Sequence, residues 1–271
     1  MIPFVKAHAC GNDFLIVQES LAGARARDAL ARSLCRRNDG VGADGVEFFR
    51  WESKRKGTID LYNADGSVAE ISGNGTRCAA AWMAYETEAG PGDEVFLETG
   101  AGPRVCQIVS REGHRFSIAS LMGVPEVHQS SVALAGGARI EGAVVSTGNP
   151  HFVIVADNAE FEVAGKPWQA IGAELCVHPD FPQQSNVEFV RILNPDQIEI
   201  RIFERGVGPT ASSGTGTSAA ATAAIAFMSC LSPLTVLAPG GVQTVAWAGA
   251  GAELRLTGPA SLIARGEAFY A

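Results

Sequence analysis

Two short stretches hold the residue types from which an anion site and a proton-transfer site can be built. Ser72-Gly73-Asn74-Gly75-Thr76-Arg77-Cys78-Ala79-Ala80-Ala81 returns, about 140 residues later, as Ser213-Gly214-Thr215-Gly216-Thr217-Ser218-Ala219-Ala220-Ala221. Each is a small-residue turn leading into an alanine-rich helix. Glycine lets the backbone approach a ligand, serine caps the helix, and the unpaired N–H groups of the first turn attract negative charge. Two copies in two halves of one chain predict a small anion gripped by two helix ends. The alternative is a pair of ordinary capped core helices, because a short glycine motif taken singly is a weak signal.

A second set of polar residues surrounds these motifs. Asn12, Asn63, Asn149 and Asn186 all fall in turn-forming sequence, and Glu204-Arg205 stands just upstream of the second serine. Singly, each amide is an ordinary turn former. Together they are what a zwitterionic amino acid requires, since arginine forks onto a carboxylate while glutamate and amide oxygens take ammonium protons. His151 reads as a loop-ordering residue rather than a catalytic one. The glycine-rich turn at Gly40-Val41-Gly42-Ala43-Asp44-Gly45 has no Lys-Ser/Thr ending, so it is not a nucleotide P-loop.

The elements that must position these residues are legible as alternating and periodic runs. Phe4 to Val17 is strand sequence interrupted by a turn-like cluster from His8 to Asp13, and a helix is expected from Arg25 to Cys35. Strands follow at Val46–Arg50 and Thr58–Tyr62, then the polar turn Asn63-Ala64-Asp65-Gly66-Ser67, then the first serine helix, ending near Gly90-Pro91-Gly92. Further strands are expected at Glu94–Glu98, Arg104–Ile108 and Phe116–Ser120. The second half repeats the plan, with strands at Ala143–Val145 and Phe152–Val155, a helix at Trp168–Glu174, and a strand at Gln197–Phe203 leading to the second serine helix. Short strands at Leu234–Leu237, Thr244–Trp247, Glu253–Thr257 and Leu262–Arg265 close the chain. A strand and a polar turn before each Ser-Gly-x-Gly-Thr helix mark an internal duplication, with too few copies for a solenoid.

Composition bounds the rest. The 271 residues are 46% hydrophobic with a formal net charge of -8, enough for two packed cores and too acidic for nucleic acid or an anionic membrane surface. The N-terminus lacks a signal-peptide pattern, and no apolar run approaches the ~18 residues of a spanning helix, so a cytoplasmic location is expected. Six cysteines without metal spacing read as mostly buried free thiols. Four lysines, none in a cofactor motif, argue against a pyridoxal Schiff base.

The segments Gly11-Asn12-Asp13-Phe14, Gly42-Ala43-Asp44-Gly45, Asn63-Ala64-Asp65-Gly66-Ser67, Gly73-Asn74-Gly75-Thr76-Arg77-Cys78, Gly148-Asn149-Pro150-His151, Asn186-Val187, Glu204-Arg205-Gly206, Gly214-Thr215-Gly216 and Thr257-Gly258-Pro259-Ala260 resemble, in order and spacing, the diaminopimelate epimerase family. The resemblance covers essentially the whole chain. It implies an α+β fold of two pseudo-symmetric lobes, each a mainly antiparallel curled sheet around a central helix: an N-terminal lobe over 1–118, to which a last strand at 262–271 can return, and a C-terminal lobe over 119–261. It implies epimerisation between LL- and meso-diaminopimelate, a lysine and peptidoglycan precursor, without metal, nucleotide or pyridoxal cofactor. The implied partner is a small-molecule amino acid bound in a cleft between the lobes, and a homodimer is compatible with it. Asn12, Asn63, Asn149, Asn186, Glu204 and Arg205 would hold the substrate, chiefly its distal end. The N–H groups following Ser72 and Ser213, at Gly73, Asn74, Gly214 and Thr215, would hold the reacting carboxylate.

The departure from the family lies at the two bases. The family's proton-transfer residues are cysteines, and Ser72 and Ser213 stand in their places. A cysteine at a helix N-terminus titrates toward neutrality, whereas an unassisted serine is a far weaker base. Cys78 cannot substitute, lying about 9 Å along the helix at ~1.5 Å per residue. Pro209 replaces the family's glutamate and Ser212 its alanine, so the second motif differs in more than its base. Three explanations remain open: native serines activated by neighbours, replacements engineered to trap substrate, or an amino-acid-binding protein that does not racemise. An isomerase or dehydratase of related fold with another substrate is a further alternative.

Overall fold

The computed structural model describes residues 1–23 and 26–269. Arg25, the expected first residue of the first helix, and residues 270–271 of the expected last strand lie outside the described residues. Met1–Ser120 with Gly258–Ala271 form one compact unit, and Leu121–Thr257 form the other.

The first unit contains β1 (Ile2–Ala9), β2 (Asn12–Gln18), α1 (Glu19–Ala22), α2 (Arg27–Cys35), β3 (Gly45–Ser53), β4 (Lys56–Asn63), β5 (Val68–Ala69), α3 (Gly73–Glu86), β6 (Glu94–Thr99), β7 (Gly102–Glu112) and β8 (Arg115–Leu121). The second contains β9 (Glu126–Ala133), β10 (Arg139–Ser146), β11 (Pro150–Val155), α4 (Trp168–Cys176), β12 (Asn186–Asn194), β13 (Gln197–Glu204), β14 (Gly208–Thr210), α5 (Gly214–Phe227), β15 (Leu234–Ala238) and β16 (Gly241–Ala246). The last strand, β17 (Arg255–Ala268), begins in the second unit and ends in the first.

Most pairings are antiparallel, as the regular hairpin signals predict. The same two exceptions occur in each unit: β2 and β3 run parallel, as do β4 and β6, and their counterparts are β11 with β12 and β13 with β15. Between the members of each parallel pair stands a helix-bearing crossover, which a parallel connection needs. Strands buried on both faces follow from this arrangement. Val46 and Phe48 pack into a core with Leu30 and Leu34 of α2, while Phe49 joins the core around α3 with Trp82 and Met83. In the second unit Val187 and Phe189 pack with Ile171 and Leu175 of α4, and Val190 packs with the alanines of α5.

The central helices are not amphipathic. Cys78 through Ala84 of α3 and Ala219 through Ala221 of α5 are buried all round, because each helix is enclosed by its own unit's sheet. Runs of alanine suit that position, since only small side chains let a sheet approach a helix axis from several sides. All six cysteines are buried free thiols, as their scatter predicts.

Three sequence expectations change. The two short strands expected at Glu253–Thr257 and Leu262–Arg265 are parts of the single β17. Gly258-Pro259 reads as a breaker, but it falls where β17 changes partners, after Thr257 pairs with β16 and before Ser261 pairs with β1. The strands β5, β9, β12 and β14 and the short helix α1 are additions to the expected elements. Finally, α3 ends at Glu86, ahead of the Gly90-Pro91-Gly92 turn.

Candidate active site

Each unit carries the same serine-capped turn at the start of its central helix. In the first, Ser72 is extended (φ -126°, ψ 124°) and its Oγ accepts the Gly75 N–H at 3.1 Å. The first-turn N–H groups of Gly73 and Asn74 precede the helix's own hydrogen-bond ladder, so they point out of the helix end. Behind this turn lies Arg77, fully buried. Its guanidinium donates to Asn74 Oδ1, to Gly73 O at 3.2 Å, to the Cys10 thiol at 3.8 Å and to Pro259 O at 3.4 Å. Burial pulls its basicity down, while nearby thiols partly oppose the shift. Arg77 therefore fixes the turn and places positive charge behind it. The Asn74 side chain serves that anchor, and its backbone remains the part suited to a ligand.

The second unit repeats the construction. Ser213 is extended (φ -143°, ψ 132°), its Oγ accepts the Gly216 N–H at 3.2 Å, and Thr215 Oγ1 is 3.4 Å away. Here Ser218 stands where the first unit has Arg77, and its hydroxyl donates to Gly214 O at 2.8 Å. Glu204 accepts a hydrogen bond from Ser213; burial raises the Glu204 carboxyl above its ordinary range, and the Ser213 bond and His151 oppose that without cancelling it. His151 is buried, with Nδ1 2.7 Å from Glu188 Oε1 and Nε2 3.0 Å from Asn149 Oδ1. Serine, two carboxyls, an imidazole and an amide thus form one cluster that can accept and return a proton.

The remaining candidate residues divide by how free they are. Asn12 donates from Nδ2 to Asp44 Oδ2 at 2.5 Å, within a network that joins Lys6, Asp13 and Arg37. Burial pushes the Asp13 carboxyl up, but Arg37 and Lys6 outweigh it and hold the group ionised. Exposed Asn63 bonds Ser67 Oγ at 2.9 Å and so shapes its turn. Asn186 is buried and spoken for at both ends: Nδ2 donates to Pro150 O at 3.3 Å and Oδ1 accepts the Arg205 N–H at 2.9 Å. It orients the Glu204-Arg205 turn. Arg205 is exposed, donates to Gln183 O at 2.7 Å, and has no ion pair among the described residues. Its fork is open to a carboxylate.

Cys78 is excluded as a base on two grounds. It lies in the closed core, and burial pushes its thiol well above the ordinary range, with Glu47 adding to the shift. Sequence reasoning missed Arg77, Glu47 and Glu188 and set His151 aside. The available signal was Val46-Glu47-Phe48 repeating as Val187-Glu188-Phe189, a charge flanked by apolar residues at the same place in each half.

The diaminopimelate epimerase family's sequence pattern matches residues 4–128 and 143–263. Diaminopimelate epimerase of Moorella thermoacetica is 33% identical over 280 residues, covering 97% of this chain and 98% of its own. That of Parabacteroides distasonis is 32% identical over 260 residues, covering 96% and 95%. Among solved structures, a Bacillus anthracis phenazine biosynthesis protein of the PhzF family superposes with a TM-score of 0.71 at 15% identity, covering 100% of this chain and 99% of that one. A hydroxyproline epimerase from Agrobacterium vitis, with trans-4-hydroxy-L-proline bound, gives 0.68 at 18% identity, covering 98% and 91%. At those identities the likeness is one of fold. The sequence match along the length of both units carries more: this chain belongs to the diaminopimelate epimerase family and is an isomerase.

Proposed function

We propose that this chain inverts the α-carbon of diaminopimelate, interconverting its LL and meso forms, with Ser72 and Ser213 acting on opposite faces of that carbon. The observation that carries the reading is the repetition of one half-site in each unit: a serine N-cap, a glycine three residues on, and a buried central helix behind them. In this reading the first-turn N–H groups take the reacting α-carboxylate. The positive helix ends then stabilise the enolate-like charge that grows as the α-proton leaves. The open fork of Arg205 takes the distal carboxylate, and Asn12, Asn63, Asn149 and Asn186 line or shape the distal pocket. The names of the full-length relatives support diaminopimelate as the substrate.

Serine alone is too weak a base, so the neighbours matter. At Ser213 the Glu204 carboxylate, accepting the hydroxyl's hydrogen bond, offers a place for the proton. The double replacement of the family's cysteines is the specific observation favouring a second reading, an amino-acid-binding protein on the same scaffold with little or no turnover. Proton NMR in deuterated water separates the two. Loss of the α-proton signal of LL-diaminopimelate together with appearance of the meso form supports the epimerase. Saturable binding without exchange supports the binder, and a product other than an epimer points to another isomerase or dehydratase chemistry. Placing thiols at both positions extends the test: Ser72→Cys with Ser213→Cys raises epimerisation by about two orders of magnitude or more, the size of a general acid–base contribution, because a thiol near a helix N-terminus supplies proton affinity near neutrality. A folded, substrate-binding double variant that stays inactive would sink the reading.

A further inference from the structure

Glu47 has no assigned purpose, and its surroundings make that conspicuous. It lies on β3 with 0% exposure, and neither carboxyl oxygen has a hydrogen-bond partner among the described residues. Its register partners are Ile16 on β2 and Leu61 on β4, both apolar. From α3 the titratable neighbour is Cys78, a buried thiol. A carboxyl placed there carries a desolvation cost that leucine would avoid.

The carboxyl presses against the turn that Ser72 caps. A methyl group placed on Gly75 would lie 2.4 Å from Glu47 Oε1 and 3.3 Å from Ser72 Cβ. The serine and the glutamate thus border the same point. The second unit repeats the contact: a methyl on Gly216 would lie 2.8 Å from Glu188 Oε1 and 3.4 Å from Ser213 Oγ. The glycine three residues after each serine thus leaves open the space that a glutamate carboxyl occupies, and in both units the motif and the glutamate adjoin.

The two copies differ in their partner. Glu188 is paired with His151, whose strand position opposite Asn186 is filled in the first unit by Phe14 opposite Gly45. Phenylalanine has no proton to offer, so Glu47 stands without an imidazole. Burial alone lifts it to about 8, from an ordinary 4.5.

We propose that Glu47 and Ser72 form a proton-sharing pair, in which Glu47 acts through the serine as its proton store. Resting on the epimerase reading, the step balances as follows. The α C–H bond breaks, its proton goes to Ser72 Oγ, and the Ser72 hydroxyl proton goes to the Glu47 carboxylate. The electron pair stays on the α-carbon and spreads into its carboxylate. In the reverse direction the protonated Glu47 returns its proton through Ser72 to the carbanion. The pair requires the Ser72 hydroxyl to turn about its Cα–Cβ bond toward Glu47, releasing the Gly75 N–H it now accepts.

Two measurements decide it. The first needs no substrate. Since all six native cysteines are buried, Ser72→Cys introduces a single accessible thiol, and its alkylation by iodoacetamide is followed against pH with Glu47 present and with Glu47→Gln. Coupled titrating groups move each other by about one pH unit or more, so removing the carboxyl shifts the thiol's midpoint down by about that amount. An unchanged midpoint overturns the pair. The second compares kcat and KM. Glu47→Gln, close in shape, lowers kcat by about 100-fold or more with KM held within about twofold, an effect of the size expected for general acid–base catalysis, and Glu47→Asp recovers part of it. A Glu47→Gln variant with the parent kcat overturns the proposal. If Glu47→Gln fails to fold, Glu47→Leu takes its place in both arms. If the parent shows no α-proton exchange, the epimerase reading falls and the thiol titration alone judges the pair.

Discussion

At the scale of single residues, the buried glutamates set the pH behaviour. A carboxyl raised to about 8 in the folded chain and near 4.5 when unfolded binds its proton more tightly when folded. Its effect on stability is therefore least harmful below pH 4.5 and grows steadily worse as pH rises to about 8. Glu47→Leu removes the group, so its stability advantage over the parent grows across that window by on the order of 4 kcal/mol. Denaturant unfolding of both proteins at the two ends of the window checks this, and an advantage that does not change with pH contradicts the assignment. Arg205 gives a second prediction. Its planar fork is held at one nitrogen by Gln183 and open elsewhere, which suits two-point capture of a carboxylate. Arg205→Lys keeps the charge and loses the fork, weakening diaminopimelate binding by about tenfold, the cost of roughly one charge-assisted hydrogen bond. Isothermal titration measures it, and unchanged affinity removes Arg205 from the site.

At the scale of elements, the central helices are shaped as much by what lies against them as by their own propensities. Glycine near a helix start usually lowers stability. Gly75 is retained because Glu47 occupies the space of its missing side chain. Gly75→Ala should cost about 1–3 kcal/mol through overpacking, and most of that cost should vanish when Glu47→Ala is made as well. A double-mutant cycle on unfolding free energies reads the coupling, and strict additivity would mean the contact is not what enforces the glycine. The serine caps contribute separately. Each accepts one first-turn N–H, an interaction worth about 1 kcal/mol.

At the scale of the whole molecule, the two units depend differently on chain continuity. The second is a single segment whose β16 pairs with Arg255–Thr257 inside its own limits. The first needs the chain's return: β1 pairs with β17 from Ile2↔Ala268 to His8↔Ser261, and Arg77 bonds Pro259. Truncation after Thr257 should leave the second unit protected in amide hydrogen exchange and the first unit unprotected. Equal protection of both units in the truncated chain would contradict this dependence.

Much of the plan was readable without coordinates. Serine caps, paired glycines and alanine runs are local signals, so both central helices were legible, as were most hairpins, the duplication and the resemblance to the epimerase family. What could not be read was which residues meet across long separations. The parallel pairings, the continuity of β17 through Pro259 and the clasp of Arg77 on Cys10 and Pro259 all depend on sheet register. Glu47 is the clearest case: as a letter it is a charge in an apolar strand, and only the wrapping of β3 around α3 sets its carboxyl against Gly75 beside Ser72. Local sequence determines capping and periodicity through short-range sterics and hydrogen bonds. The partner of a buried side chain is chosen by how a whole sheet closes on a helix, and that is a property of the tertiary fold.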